Sequence, residues 1–194
     1  MSFKNQFAHP HGLGGRAAGW IMTIQNARRN HWVVDRLDPQ PGEHLLEIGC
    51  GPGVAVAEAV GLGCRVTAVD PSAVMRSMAS RRNAAAIADG RVAVLDGSAE
   101  SLPEGPFAAA YAVNTPQFWT DVDATLAEVV ERLGPGGRMA LAIQPRFKGA
   151  TDADARRLAE ENAERLSRAG FGDVRVDRLS LRPTDVGCAV GRLR

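Results

Sequence analysis

Apolar residues in this chain come in short runs separated by glycine, proline and charged residues, and the runs alternate between two periods. Leu45 to Ile48, Cys64 to Asp70, Arg91 to Leu95, Phe107 to Val113 and Arg138 to Gln144 are brief stretches of continuous or alternating apolar character, the pattern of strands. The intervening segments 54–60, 72–82, 121–133 and 151–169 are helix-compatible, with Thr151 placed to cap one start and Gly134 and Gly170 to end two helices. The tail departs from this rhythm, because Val174 to Leu181 and Val186 to Leu193 flank Arg182-Pro183-Thr184-Asp185, a hairpin signature. Alternating strands and helices closed by an antiparallel pair predict an α/β domain on a mostly parallel sheet. Upstream, Trp20, Ile21, Ile24 and Ala27 form an apolar stripe that either packs on the sheet or closes over a cleft. The glycines of His9-Pro10-His11-Gly12-Leu13-Gly14-Gly15 make a hinge before it. The chain therefore divides into an N-terminal helical arm or lid, 1–38, and a domain, 39–194.

The first strand ends in Glu47 and runs into Gly49-Cys50-Gly51-Pro52-Gly53. Glycine permits positive φ and lets backbone amides approach a ligand, and a turn between a strand end and a helix start is where open α/β sheets bind one. The second strand ends in Asp70, about twenty residues on, where nucleotide-binding folds keep a carboxylate for ribose hydroxyls. A dinucleotide fingerprint reads G-x-G-x-x-G, whereas the order here is E-x-G-x-G-x-G and the position three beyond Gly51 is Val54. This order resembles the first motif of the class I S-adenosylmethionine (SAM)-dependent methyltransferases. The resemblance continues through Val69-Asp70-Pro71-Ser72, Gly97-Ser98-Ala99-Glu100-Ser101-Leu102-Pro103 and Leu133-Gly134-Pro135-Gly136-Gly137-Arg138-Met139.

That resemblance implies a three-layer, doubly wound sheet of seven strands with the last antiparallel, and it assigns a donor site for SAM and its product S-adenosylhomocysteine. Glu47 would lie under the methionine end, Gly49, Cys50, Gly51 and Gly53 would form the turn packed against it, and Asp70, followed by Pro71, would accept both ribose hydroxyls. In many relatives an aspartate accepts from the adenine amino group where this chain has Ser98. A serine oxygen can still accept that bond, with the Ala99 amide on a ring nitrogen, and Asp96 is a second candidate placed on the same face by strand alternation. Asn114-Thr115-Pro116-Gln117-Phe118-Trp119 occupies the position where the family keeps substrate-facing residues. It faintly resembles the N-P-P-[YF] motif of amino-group methyltransferases, with Thr115 in place of the first proline. Asn114 then serves donor or acceptor, and Phe118 and Trp119 are either core or pocket wall, with Trp20 closing from the arm.

Composition narrows the partners. A chain of 194 residues with 45% hydrophobic content can bury an ordinary core, and no run reaches the ~20 apolar residues of a membrane span. The N-terminus lacks the apolar core of a signal peptide, so a cytoplasmic protein without membrane contact is expected. Cys50, Cys64 and Cys188 are odd in number and widely spaced, which indicates neither disulfides nor a metal site. A net charge of +1 disfavours nucleic acid. Locally, however, Lys4, Arg16, Arg28, Arg29 and Arg36 outnumber Asp35 and Asp38, either as a solvated helix face or as a cationic lid over an anionic group. His9, His11 and His31 are the candidate general bases, should the acceptor need one. The expected activity is methyl transfer to an O, N, S or C nucleophile of a small molecule by in-line displacement. The alternative is a SAM-fold binding or regulatory protein without transferase activity; a homodimer is compatible with either.

Overall fold

The computed structural model describes residues 27–194. A helix over 27–36 (α1) leads to β1 (His44–Ile48), α2 (Val54–Gly61), β2 (Arg65–Asp70), α3 (Ala73–Arg82), a short α4 (Ala84–Ala88), β3 (Val92–Asp96) and β4 (Phe107–Val113). A 3-10 turn at Pro116–Phe118 precedes α5 (Val122–Arg132), β5 (Leu133–Ile143), α6 (Asp152–Arg168), β6 (Phe171–Leu179) and β7 (Val186–Leu193). The strands form one seven-stranded sheet in the order β3-β2-β1-β4-β5-β7-β6. Pairing is parallel from β3 to β5, and β7 runs antiparallel to both β5 and β6. This is the three-layer, doubly wound α/β sheet expected.

The continuous apolar runs follow from cover on both faces. Leu45 of β1 and Tyr111 of β4 join Val33, Val34, Ala55, Val56 and Ala79 on the side of α1 to α4. Leu46 and Ile48 point the other way, into the core made with Leu126, Val129 and Leu166 of α5 and α6. Val33, Val34 and Leu37 are fully buried, so the last residues of the expected arm pack as part of the sheet's cover. Trp20, His9 and His11 lie outside the described residues, as do Ile21 and Ile24 of the stripe; Ala27, its last member, is exposed.

One local expectation needs correction. Gly134 does not end α5: the helix stops at Arg132 and Leu133 is already extended, paired with Phe107. Pairing then resumes only at Arg138 opposite Ala109, so the glycines between form a bulge within β5 rather than a turn before it. The short α4 was not legible, being a run of alanines with one isoleucine. At the other helix the caps are as expected. The Thr151 side chain accepts from the Asp154 N–H while Asp154 accepts from Thr151, and Gly170 follows α6 at φ 98°.

Helix α6 lies directly on β7, because a Cβ at Gly187 would stand 2.5 Å from the Ala155 carbonyl oxygen and 2.6 Å from the Ala159 Cβ. Both neighbours are helix backbone or its first side-chain atom and cannot swing aside. Gly187→Ala should therefore destabilise the fold by about 1–3 kcal/mol in urea unfolding, without a change in the denaturant slope.

Candidate functional site

From β1 the chain moves outward to β2 and β3, then returns to β4 on the other side of β1, and a crevice opens at the carboxyl ends of β1 and β4 where the order reverses. The glycine turn fills its floor. Gly49, Gly51 and Gly53 have φ of 79°, 51° and 73°, a run of left-handed residues that side chains resist. The N–H groups of Gly49 and Cys50 both donate to the Val69 carbonyl, at 2.8 and 3.0 Å, which pins the turn to the end of β2. On its outer side Arg82 Nε donates to the Pro52 carbonyl and Asn83 Nδ2 to that of Gly53. A Cβ on Gly53 would meet Ala79 Cα at 2.8 Å, and one on Gly49 would meet Thr115 Cγ2. A Cβ on Gly51, by contrast, would meet nothing within 4 Å, so the middle of the turn faces open space that a ligand can enter.

Asp70 is buried beside this opening. Its carboxylate accepts from the Gly51 N–H at 2.8 Å and from the Ser72 N–H at 2.9 Å, and its own carbonyl accepts from Arg76. A carboxylate fixed by two amides from different segments is pre-oriented for further donors. Pro71, next to it, is exposed. Glu47 sits deeper, 2% exposed beneath the turn, with Tyr111 donating its hydroxyl at 3.1 Å. Burial pushes the Glu47 carboxyl well above the usual range, and the Asp70 charge adds to this against the opposing bonds from Tyr111 and the Val56 amide. The Cys50 thiol is likewise pushed up by burial and by Glu47 and Asp70, so it stays a neutral thiol. Cys64 and Cys188 are buried and in no disulfide, their thiols donating to the carbonyls of Gln40 and Ala189.

The loops after β3 and β4 form the walls. Ser98 donates to Glu100 at 2.6 Å and accepts from the Glu100 N–H, while the other Glu100 oxygen accepts from the Thr120 N–H. The Ser98 bond, followed by that from Thr120, holds the Glu100 carboxyl down at about 2. Glu100 thus clasps one wall to the other, a role invisible in its own motif. Ala99 is buried. Asp96 pairs with Arg76 at 2.9 Å and β3 ends there, so strand alternation does not carry it onto the face of Ser98. Thr115 was also missed; its hydroxyl donates to the Ile48 carbonyl at 2.8 Å, locking the β4 loop against Gly49.

Asn114 adopts φ 58°, and its side-chain oxygen accepts from the Gln144 N–H at 2.6 Å. The amide that an N-P-P-[YF] reading would aim at a target nitrogen is thereby used to tie β4 to β5. Phe118 is exposed, but Trp119 packs against the core on the α5 and α6 side. There it borders a cavity of about 420 Å³ shared with Leu158, Asn162 and Arg165, on the face opposite α2. His31 is bonded to Glu58 of α2 at 2.9 Å and is largely exposed. Among the described residues no cluster of His, Cys, Asp and Glu could hold a metal, and no helix is long and apolar enough to cross a membrane.

Residues 46–141 match the family model described as a methyltransferase domain. The uncharacterized methyltransferase YdaC of Bacillus subtilis is 26% identical over 90% of this chain and 97% of its own length. An O-methyltransferase of Pyrenophora dematioidea is 30% identical over 63% of this chain, which spans only 47% of that protein. Among solved structures, the methyltransferase partnered with the Trm112 activator from Haloferax volcanii superposes with a TM-score of 0.78 at 16% identity, covering 98% of this chain and 97% of that one. Residues 46–141 thus match a methyltransferase domain, and the chain as a whole shares the fold of the methyltransferase it superposes on.

The burial of Glu47 has a measurable sign. Its folded pKa lies above its unfolded one, so the folded state keeps a proton that the unfolded chain loses. The resulting stability is present below the ordinary carboxylate range of about 4.3 and is lost as pH rises toward the folded value. Glu47→Gln keeps an oxygen for Tyr111 without the titration. Its stability relative to wild type should climb between pH 4 and pH 8 in chemical unfolding, and a constant difference across that range would mean that Glu47 is ionised in the fold.

Proposed function

We propose that this protein transfers a methyl group from SAM to a nucleophilic O, N, S or C atom of a small molecule, and that the glycine turn and Asp70 hold the donor. The observation that carries this reading is the open space above Gly51 with the twice-anchored carboxylate of Asp70 beside it. Asp70 takes the ribose hydroxyls, Gly49, Cys50, Gly51 and Gly53 lie against the methionine part, and Ser98 and Ala99 flank the adenine. Glu47 supports the turn from beneath, with Asn114 at the side where donor and acceptor meet.

When bound, SAM supplies an electrophilic methyl group whose transfer discharges the sulfonium. The chain's task is then alignment and exclusion of water, because holding two reactants in line replaces an entropic cost. Rigid walls serve this: Thr115 locks one to the turn and Glu100 clasps the two together. Phe118 and Phe147, exposed on the loops after β4 and β5, offer apolar surface to the body of an acceptor. Residues 1–26 are proposed to close over it, with His9 or His11 as base for an acceptor that must lose a proton and Trp20 against its body. The name of the Pyrenophora relative favours oxygen as the target atom.

Asp70→Ala removes charge-assisted bonds of about 1.5–3 kcal/mol each and should weaken SAM at least 100-fold by calorimetry, whereas Ser98→Ala, losing one neutral bond, should cost less than about tenfold. The opposite ranking would reverse the ribose and adenine assignments. Deleting residues 1–19 should abolish turnover while S-adenosylhomocysteine affinity stays within a few fold; loss of that affinity would place the segment at the donor instead.

A further inference from the structure

Arg29 is the one arginine of α1 that turns inward: it is 2% exposed, whereas Arg28 is exposed and Arg36 pairs with Asp35. Its Nη1 donates to Gln144 Oε1 at 3.0 Å, and its Nε is buried with no hydrogen-bond partner. Three other arginines have a buried unpartnered Nε, but each of those, Arg36, Arg132 and Arg138, has a carboxylate on its guanidinium. Arg29 has none among the described residues, and residues 1–26 contain no Asp or Glu that could supply one. A buried cation without a counterion is among the costlier features a fold can carry.

A second cation shares the same oxygen. Arg146 Nη2 also donates to Gln144 Oε1 at 3.0 Å, and Arg146 is exposed at the surface where Arg29 is not. Gln144 cannot turn away, since its Nε2 donates to the carbonyls of Thr184 and Arg182 and so holds Oε1 toward the two guanidiniums. Burial and the neighbouring Arg146 lower the Arg29 pKa to about 9, which leaves it cationic at neutral pH. The backbone of the cluster is tied to the strand end beside the crevice, because the Gln144 N–H donates to Asn114 at the end of β4. In the sheet order it follows β5, two strands from the glycine turn and on the side away from Asp70. At a strand spacing of about 4.8 Å that is roughly 10 Å from the turn, beyond the donor and within reach of an acceptor.

We propose that Arg29 and Arg146, with the Gln144 amide between them, receive a carboxylate or phosphate group carried by the methyl acceptor. The placement on the acceptor side rests on the donor assignment above. Two guanidiniums converging on one neutral amide oxygen fit an oxyanion that each can bond with charge assistance, and the acceptor would be an anionic small molecule anchored by its acidic end.

The test is a titration of inorganic phosphate, at constant ionic strength, into the protein saturated with S-adenosylhomocysteine. Phosphate should bind wild type and Arg28→Gln alike, and about tenfold more weakly to Arg29→Gln and Arg146→Gln, with Arg29→Lys between. Arg146 is exposed, so its variant reports even if Arg29→Gln does not fold. S-adenosylhomocysteine affinity should stay within about threefold in all four. Equal phosphate affinity in wild type and both Gln variants overturns the proposal. So does a loss of S-adenosylhomocysteine affinity without loss of phosphate binding, which would assign the pair to the carboxylate of the donor's methionine part. Failure of wild type to bind S-adenosylhomocysteine sinks the donor reading separately, and the same phosphate comparison on the unloaded protein then decides the arginines alone.

Discussion

The crevice depends on the tie between the ends of β1 and β2. One carbonyl, that of Val69, accepts from both Gly49 and Cys50, and the next residue's carboxylate accepts from Gly51. These bonds force the chain through left-handed backbone over five residues, which only glycine at alternate positions takes without cost. Once the turn is fixed, α2 starts at Val54, and Gly53 brings α3 close enough for Asn83 and Arg82 to bond the turn from outside. Thr115 then finds Ile48 and Gly49 already in place.

Glu47 and Arg29 are both buried ionisable groups, and they meet their burial in opposite ways. Glu47 is pushed toward its neutral form by burial, and beneath the turn its carboxyl meets a tyrosine hydroxyl and another acid. Arginine is far harder to neutralise, so Arg29 keeps its charge, and among the described residues its guanidinium bonds a neutral amide and lies beside a second cation. The carboxyl is internally satisfied and structural. The guanidinium is short of a partner, which is the condition in which a buried charge is explained by something outside the chain.

The sheet was legible because its strands are covered on both faces and therefore read as apolar runs, and because glycine and proline punctuate them. The glycine turn was legible for a different reason: positive φ at Gly49, Gly51 and Gly53 and a carboxylate at Asp70 that accepts from the turn are needs that few residue types meet. The bulge in β5 was not, since Gly134 to Gly137 serve equally well as a turn or as a bulge until the pairing of Leu133 with Phe107 is known. The alternation that would put Asp96 on the face of Ser98 does not extend past the end of β3.

The walls were the least legible part, and the reason is physical. Glu100 to Thr120, Thr115 to Ile48 and Arg29 to Gln144 join residues far apart in sequence through single polar bonds, and no local period or composition records such a bond. The excess of arginine before residue 38 could be counted but not interpreted, because a solvated face and a cationic lid have the same composition. Only direction separates them: Arg28 is exposed, Arg36 is half-buried against Asp35, and Arg29 is buried. A backbone turn leaves a motif in the sequence, whereas contacts assembled from scattered side chains brought to one end of the sheet have to be read from where their charges point.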